Sequence, residues 1–351
     1  MRWETPQPPY VWPFGQGPEH ASGAVQPGWG PPQSSIPQYP LGQYPLGQYP
    51  LGQYPAPPRR RRPLPYVVAS LVVLTLLAFG SLVAVSAFSG EGLTYRNDDY
   101  SAPLPEANPP QLPRPQNGAD AQVKVKQNSL YDQRMPSPIR CQVAPLGADA
   151  TDDQLEDRAG QLTACLMRAW EDPVRAAGYE LFRPSVTAFS GKLDSPCGDL
   201  DENNAFYCAS DQQIYLGTGL VRRFADTPLV VDMIVAHEFG NLIQGRTGII
   251  TSTRAIQQTV SGGQRLELNR RLELQADCFG GLWMHAVTKS RGWTDADRAS
   301  FLSAARSAGD RPDRAGDHGK AASRETWLGT GLDTTDIAAC NTYAASPDQV
   351  E

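Results

Sequence analysis

The stretch His237-Glu238-Phe239-Gly240-Asn241 decides the fold of this chain. It lies inside a strongly apolar segment that begins with Thr227 and Pro228. A capping threonine followed by proline is typical of a helix start, and Gly245 is a natural stop. The segment therefore predicts a helix. Residues four positions apart share one helix face, so we expect His237 and Asn241 to lie side by side.

This stretch matches most of a zinc-binding pattern. In His-Glu-x-x-His, two histidines at i and i+4 bind zinc, and the glutamate acts as general base on a zinc-activated water. His237 and Glu238 occupy the first two positions, whereas Asn241 stands where the second histidine would be. An amide oxygen is a poor zinc ligand beside imidazole. Taken alone, the short pattern favours a helix with one core histidine.

A second long helix, predicted from about Gln264 to Thr288, adds two carboxylates. Glu273 and Asp277 are four residues apart, so both face one side of the helix. The spacing predicts Glu273 as a further zinc ligand and Asp277 as the acceptor for the free N–H of a metal-bound His237. The alternative is a solvated acidic face. Apolar neighbours argue against it, because buried carboxylates need a partner; they are Leu272, Leu274, Ala276 and Phe279.

Other local patterns predict a mostly helical α+β domain with a small sheet. Thr151 opens one helix with an acidic first turn, and Thr294 with Asp297 forms a capping-box-like pair at another. Residues 213–216 are predicted to form a short strand.

An uncharged, apolar segment precedes this domain. No charged residue occurs from 63 to 90, and residues 66–88 are almost entirely apolar. At about 1.5 Å per residue, such a helix spans a hydrocarbon core of roughly 30 Å. A buried core helix would show a polar stripe, and a cleavable signal would lie at the N-terminus. We therefore predict one transmembrane helix over 63–90.

The charges beside this segment predict its orientation. Residues 59–62 are all arginine, whereas the other flank has Glu91, Asp98 and Asp99 against a lone Arg96. By the positive-inside rule, residues 1–62 lie in the cytoplasm and 91–351 lie outside. The predicted partners are therefore the lipid bilayer and extracytoplasmic molecules. The net charge of −6 is too mild to suggest a nucleic-acid partner.

All six cysteines follow residue 140, which places them in an oxidising compartment. Cys197 and Cys208 bracket a short polar loop and form the most secure predicted disulfide. Cys141–Cys165 and Cys278–Cys340 are the natural remainder, although six cysteines allow fifteen pairings.

The remaining segments differ in composition. Residues 1–62 form a disordered Pro/Gly/Tyr/Gln-rich tail with Gln-Tyr-Pro-Leu-Gly repeats starting at Gln38, Gln43 and Gln48. The tail is either a docking segment for a cytoplasmic partner or a spacer. Prolines predict a stiff linker over 91–124 that holds a folded domain, 125–351, away from the bilayer.

Over residues 125–343 the chain resembles the neutral zinc metallopeptidases of bacteria in their membrane-anchored actinobacterial form. The resemblance implies a zincin-like α+β fold, His237 and Glu273 as zinc ligands and Glu238 as the catalytic base. It also implies a place near the active site for His318, which matches a His-Gly element of the family. The matching segments are Asn128-Ser-Leu-Tyr131, Ala164-Cys-Leu166 with Ala169-Trp170, Phe182-Arg-Pro-Ser-Val186, Ser195-Pro-Cys-Gly198, Ala205-Phe-Tyr-Cys208, Ile214-Tyr-Leu216, Ala236-His-Glu-Phe-Gly240, Glu273-Leu-Gln-Ala-Asp-Cys278, and Asp317-His-Gly319 leading to Trp327.

The sequence leaves three functions open. The chain is an extracytoplasmic zinc peptidase that hydrolyses peptide bonds, a non-catalytic module that binds peptides or proteins, or an envelope scaffold. Because of Asn241, zinc is expected to bind weakly or not at all unless His318 substitutes as a ligand. If the chain is a peptidase, the strand at 213–216 is expected to be the sheet edge that pairs with substrate.

Overall fold

The computed structural model describes residues 94–351, apart from 148–149, 225–226 and 311–315. The predicted tail over 1–62 and the predicted span over 63–90 lie outside the described residues and stay predictions. Within the described ranges, no helix combines the length and the apolar character that crossing a membrane requires.

Eight α-helices make up about half of the part of the chain that the structure describes. They are α1 (Gly118–Lys126), α2 (Asp152–Ala176), α3 (Thr218–Arg223), α4 (Leu229–Arg246), α5 (Ile249–Gln257), α6 (Gly262–Arg291), α7 (Asp295–Ser307) and α8 (Ala321–Leu332). The predicted caps at Thr151 and Thr294 are confirmed, and both form capping boxes. Helix α4 differs slightly from expectation, because Pro228 occupies the N-cap position rather than Thr227.

Five short strands form two small sheets beside the helices. The strands are β1 (Val186–Phe189), β2 (Lys192–Ser195), β3 (Gly198–Asp201), β4 (Ala205–Cys208) and β5 (Gln213–Gly217). The larger sheet has the order β1-β5-β4, and β2 and β3 form a separate antiparallel pair. A mostly helical domain with small sheets is thus confirmed.

The position of β5 corrects one prediction. Residues 213–216 do form a strand, but β5 pairs in parallel with β1 on one side and antiparallel with β4 on the other. The prediction that this strand is the free edge is wrong. The chain turns back after β4, so that β5, the last strand in sequence, fills the gap between β1 and β4. The sheet edge near α4 is therefore β4.

Glycines allow α4 and α6 to pack closely in an antiparallel arrangement. A side chain at Gly240 would place its Cβ 2.9 Å from the carbonyl oxygen of Ala276, and one at Gly280 would place it 3.3 Å from the backbone nitrogen of His237. Cβ atoms essentially never approach backbone as closely as 2.9 Å. The pairing of these two glycines with the facing helix brings the carboxylates of α6 opposite His237.

Helix α8 lies against the other side of α6. A Cβ at Gly281 would lie 2.6 Å from the carbonyl oxygen of Leu328, so this contact also depends on glycine. Two hydrogen-bonded pairs, Asp277–Arg324 and His285–Leu332, both have a sequence separation of 47. Because the offset is constant over two turns, α6 and α8 run parallel.

The described part of the predicted linker packs on the domain instead of standing away from it. The Pro110 carbonyl accepts hydrogen bonds from Gln212 Nε2 at 2.8 Å and from Arg246 at 2.9 Å. Arg183 donates to the Pro103 carbonyl at 2.9 Å. Proline has no N–H but keeps its carbonyl acceptor, which partly buried side chains of the domain use here. From residue 94 onward, the segment belongs to the folded unit.

All three predicted disulfides are present: Cys141–Cys165, Cys197–Cys208 and Cys278–Cys340. No free cysteine remains among the described residues.

Candidate functional site

His237 lies between two carboxylates of α6. Its Nε2 is 3.5 Å from Glu273 Oε2, and its Nδ1 is 2.8 Å from Asp277 Oδ1. The side chains are almost fully buried, with exposed fractions of 2% for His237 and 3% for Glu273 and Asp277. The structure thus brings together the three residues that the helix spacing predicted, and the predicted contact between His237 and Asp277 is present.

Asp277 has a second partner that the sequence did not reveal. Arg324 on α8 donates from Nε to Oδ2 at 2.8 Å and from a terminal nitrogen to Oδ1 at 2.7 Å. Arg324 has an exposed fraction of 0%. The buried aspartate is therefore paired on both sides, as a carboxylate removed from water requires.

Glu238 points toward strand β4. Its Oε2 accepts a hydrogen bond from the backbone N–H of Tyr207 at 2.8 Å and another from Asn241 Nδ2 at 3.2 Å. Asn241 thus offers its amide nitrogen to the predicted base. The sequence predicted neither of these two contacts of Glu238.

Two buried oxygens at this site have no hydrogen-bond partner among the described residues. They are Asn241 Oδ1 and Glu273 Oε1. Buried polar atoms are normally satisfied, so both oxygens are suited to a cation, a proton or a water. Together with His237 Nε2 they supply one nitrogen and two oxygen donors. This donor set fits a divalent cation, but zinc would hold it less firmly than with a second imidazole.

His318 lies near Glu273 but is held by other residues. Its Nδ1 is 2.8 Å from Asp317 Oδ1, and its backbone N–H donates to Asp310 Oδ1 at 3.1 Å. In the described ranges, the only group of three His, Cys, Asp or Glu side chains close enough to share an ion is Asp310, Asp317 and His318. His318 is therefore not placed as a third ligand beside His237 and Glu273.

The charges of the site shift its acidities. Burial opposes the charged form of His237, but hydrogen bonds to Asp277 and Glu273 outweigh it and raise the pKa of His237 to about 10. Burial raises the pKa of Glu238 to about 7, against the attraction of His237. Burial opposes a charged Glu273 as well, yet the hydrogen bond with His237 leaves the pKa of Glu273 below its usual value. The two carboxylates therefore favour the protonated form of His237.

Two disulfides join the chain next to residues of this site. Cys208 follows Tyr207, whose N–H contacts Glu238, and Cys278 follows Asp277. Cys278 is bound to Cys340, so α6 is covalently tied, one residue after Asp277, to the segment after α8.

The sequence provided unequal signals for these residues. The His-Glu pattern identified His237 and Glu238, and helical spacing identified Glu273 and Asp277. Arg324 had no local signal, although the buried carboxylate at Asp277 did call for a partner of opposite charge. The Tyr207 contact uses a backbone N–H, which every residue except proline has.

Comparisons with known proteins identify the family of this chain. The chain is 28% identical over 212 residues to the uncharacterized protein YpfJ of Escherichia coli K12, covering 54% of this chain and 74% of the relative. It is 29% identical over 246 residues to the uncharacterized protein Rv2575 of Mycobacterium tuberculosis H37Rv, covering 61% and 81%. No solved structure matches significantly. The profile of the family described as "Putative neutral zinc metallopeptidase" matches residues 117–343. This chain therefore belongs to the neutral zinc metallopeptidase family.

Proposed function

We propose that this chain is a membrane-anchored, extracytoplasmic peptidase of zincin-like fold whose zinc site is weakened by Asn241. One observation carries the proposal. His237 Nε2 and Glu273 Oε2 converge to 3.5 Å, and Glu238 lies next to His237 on the same helix. Two helices thus bring an imidazole and a carboxylate together, and the neighbouring Glu238 supplies a separate carboxylate, which are the residue types that metal-assisted peptide hydrolysis needs.

The residues have distinct tasks in this proposal. His237, Glu273 and the oxygen of Asn241 would hold the ion, which when bound supplies Lewis acidity and makes a water more acidic. Glu238 takes a proton from the attacking water and delivers it to the leaving amine. Its pKa of about 7 suits both transfers, because a general base works best near the operating pH.

The proposed substrate is a peptide or protein that lies along β4. The N–H of Tyr207 on this edge strand already points at Glu238, so a peptide bound there would pass close to the base. Pairing through main-chain hydrogen bonds makes side-chain selectivity loose. Glu238 has an exposed fraction of only 2%, so substrate reaches it only when the surrounding residues move apart.

The location is part of the proposal. It is supported by the uncharged segment over 63–90, the arginines at 59–62 and the three disulfides of the domain, which are typical of an oxidising compartment. The repeats of the tail then remain on the cytoplasmic side, where they either bind a partner or serve as a spacer.

A second candidate is a non-catalytic module that binds peptides or proteins. Asn241 favours it, because its amide donates to Glu238 and so occupies the base. The charges of the site are also balanced by protein groups alone, with His237 between Glu273 and Asp277 and with Arg324 on Asp277. A site of this kind keeps its shape without an ion.

Replacing Asn241 by histidine separates the two candidates. We expect the purified full chain to contain well below one zinc per chain after dialysis and to have little peptidase activity. Asn241→His should raise zinc content sharply, because Glu273, Asp277 and Glu238 are already in place. Activity should appear together with the metal and disappear again in Asn241→His/Glu238→Gln. Asn203→His, which adds a histidine in the loop between β3 and β4, should leave zinc content unchanged.

The outcomes distinguish the candidates clearly. Zinc without activity in Asn241→His would favour the binding module. Zinc near one per chain in the unmodified protein would show that Asn241, His318 or a water completes the site and would favour a working peptidase. No zinc even in Asn241→His would contradict the proposed metal site.

A further inference from the structure

We infer that Arg324 is a positioning residue of the site, which fixes the carboxylate of Asp277 and through it the ring of His237. This inference rests on the proposed function, because it concerns the metal site proposed above. Arg324 lies on α8, which contributes no other predicted site residue.

The contact between Arg324 and Asp277 fixes the orientation of the carboxylate plane as well as the distance between the two side chains. Two parallel hydrogen bonds, at 2.8 Å and 2.7 Å, join the guanidinium to the two carboxylate oxygens. Such a forked contact restricts rotation of the carboxylate, whereas a single hydrogen bond does not restrict this rotation. Asp277 Oδ1 is thereby held toward His237 Nδ1, 2.8 Å away.

The position of Asp277 Oδ1 in turn decides how His237 is presented. With Nδ1 bonded to this oxygen, the ring directs Nε2 toward Glu273, 3.5 Å away. If the carboxylate rotated, the ring would lose the partner that fixes its tautomer and orientation. Asp277 orients the candidate ligand, and Arg324 orients Asp277.

Stability alone does not explain a buried arginine at this position. Replacing a buried ion pair by apolar side chains of similar volume is often neutral or stabilising. The structure contains a useful comparison, because Arg158 and Arg291 bind the buried Asp232, which lies on α4 five residues before His237. Arg158 is therefore a matched control: a buried arginine, paired with a buried aspartate of the same domain, without a bond to Asp277.

The test observes the ring of His237 directly. The chain has 4 histidines, so the NMR spectrum of the full-length protein labelled with nitrogen-15 only in histidine contains few ring signals. The signal of the His237 ring is assigned as the one that is missing in His237→Gln. We expect the slowly exchanging Nδ1–H signal of His237 to be lost in Arg324→Met and to be kept in Arg158→Met. Arg324→Lys keeps the positive charge but cannot form both parallel hydrogen bonds to Asp277. In this variant the Nδ1 proton of His237 should exchange with water several-fold faster. The Lys variant decides the question if Arg324→Met does not fold.

His285 reports separately on the position of α8. Its Nδ1 lies 2.9 Å from the carbonyl oxygen of Leu332 on that helix. We expect this signal to be unchanged when the His237 signal is lost. An unchanged His237 signal in Arg324→Met would overturn the inference. Loss of both signals together would also overturn it, because Arg324 would then only hold α8 in place.

Zinc binding gives a second readout in the Asn241→His background. Adding Arg324→Met there should weaken zinc binding about 10- to 100-fold, the usual effect of removing a partner behind a metal ligand. Unchanged zinc affinity would contradict the inference. If Asn241→His binds no zinc at all, the proposed metal site fails, while the ring signals still decide the role of Arg324.

Discussion

Glu238 couples the stability of the protein to pH. Burial raises the pKa of this carboxyl from 4.5 to about 7. Between these values the folded chain keeps a proton that the unfolded chain releases. The unfolded state thus binds fewer protons, and stability falls as the pH rises through this window. Ionisation of Glu238 in the folded chain therefore lowers the free energy of unfolding.

We therefore predict that Glu238→Gln stabilises the full chain more at pH 8 than at pH 5. Glutamine keeps an acceptor for the Tyr207 N–H but never ionises. A shift of this size in the pKa of Glu238 changes the effect of the substitution on the free energy of unfolding by on the order of 3 kcal/mol between pH 5 and pH 8. Urea unfolding with a chelator present, at both pH values, measures it. An equal effect of the substitution at pH 5 and pH 8 would mean that Glu238 titrates normally.

Single residues also show how far the sequence could predict the site. The His-Glu pattern identifies His237 and Glu238, and helical spacing puts Glu273 and Asp277 on one face of their helix. Arg324 could not be predicted, since its contact depends on the parallel packing of α6 and α8. His318 was expected near the site, but its bond to Asp317 depends on the loop conformation and not on spacing.

At the scale of elements, the crossing of α4 and α6 decides the site geometry. Gly240 faces Ala276 so closely that any side chain would press on backbone atoms. The two helices hold His237 and Glu273 respectively, so a small separation of the axes changes the distance between their side chains directly.

We predict that Gly240→Ala destabilises the protein by about 1–3 kcal/mol, the usual effect of inserting a methyl group into a packed contact. The matched control is Gly160→Ala in the middle of α2, where the nearest atom is Arg183 at 3.7 Å, the far end of a flexible side chain. Because alanine is a better helix former than glycine, the control should be stabilising by up to about 1 kcal/mol. Thermal unfolding compares the two. Equal effects would show that the helices can adjust at Gly240.

The elements themselves were predicted with different success. Capping residues and apolar periodicity located the long helices, although α6 begins two residues before and ends three residues after the predicted bounds. The order of strands was not predictable, because β5 pairs with both β1 and β4 and one of these pairings is parallel and not local in sequence. Similarly, prolines at 103 and 110 indicated an extended segment but not that side chains of the domain would use their carbonyls.

For the whole molecule, the proposed topology gives a direct prediction. Because no free thiol exists among the described residues, a single added cysteine becomes the only target for a thiol reagent there. Leu104, with an exposed fraction of 86%, is a suitable site on the domain side. We expect a membrane-impermeant maleimide to label Leu104→Cys in intact cells whose wall admits the reagent.

The matched reporter for the cytoplasmic side is Ser34→Cys in the tail. It should be labelled only after lysis, whereas Leu104→Cys should be labelled equally before and after. The opposite pattern would place the domain in the cytoplasm, and labelling of both in intact cells would mean that the tail is also outside.

The disulfides beside Tyr207 and Asp277 have a consequence for biosynthesis. The ribosome delivers the chain into a reducing compartment, where thiols stay unpaired. Until Cys208 and Cys278 are paired, β4 beside Glu238 and α6 beside Asp277 lack these covalent links. With the proposed extracytoplasmic location, we expect both disulfides to form only after export to an oxidising compartment.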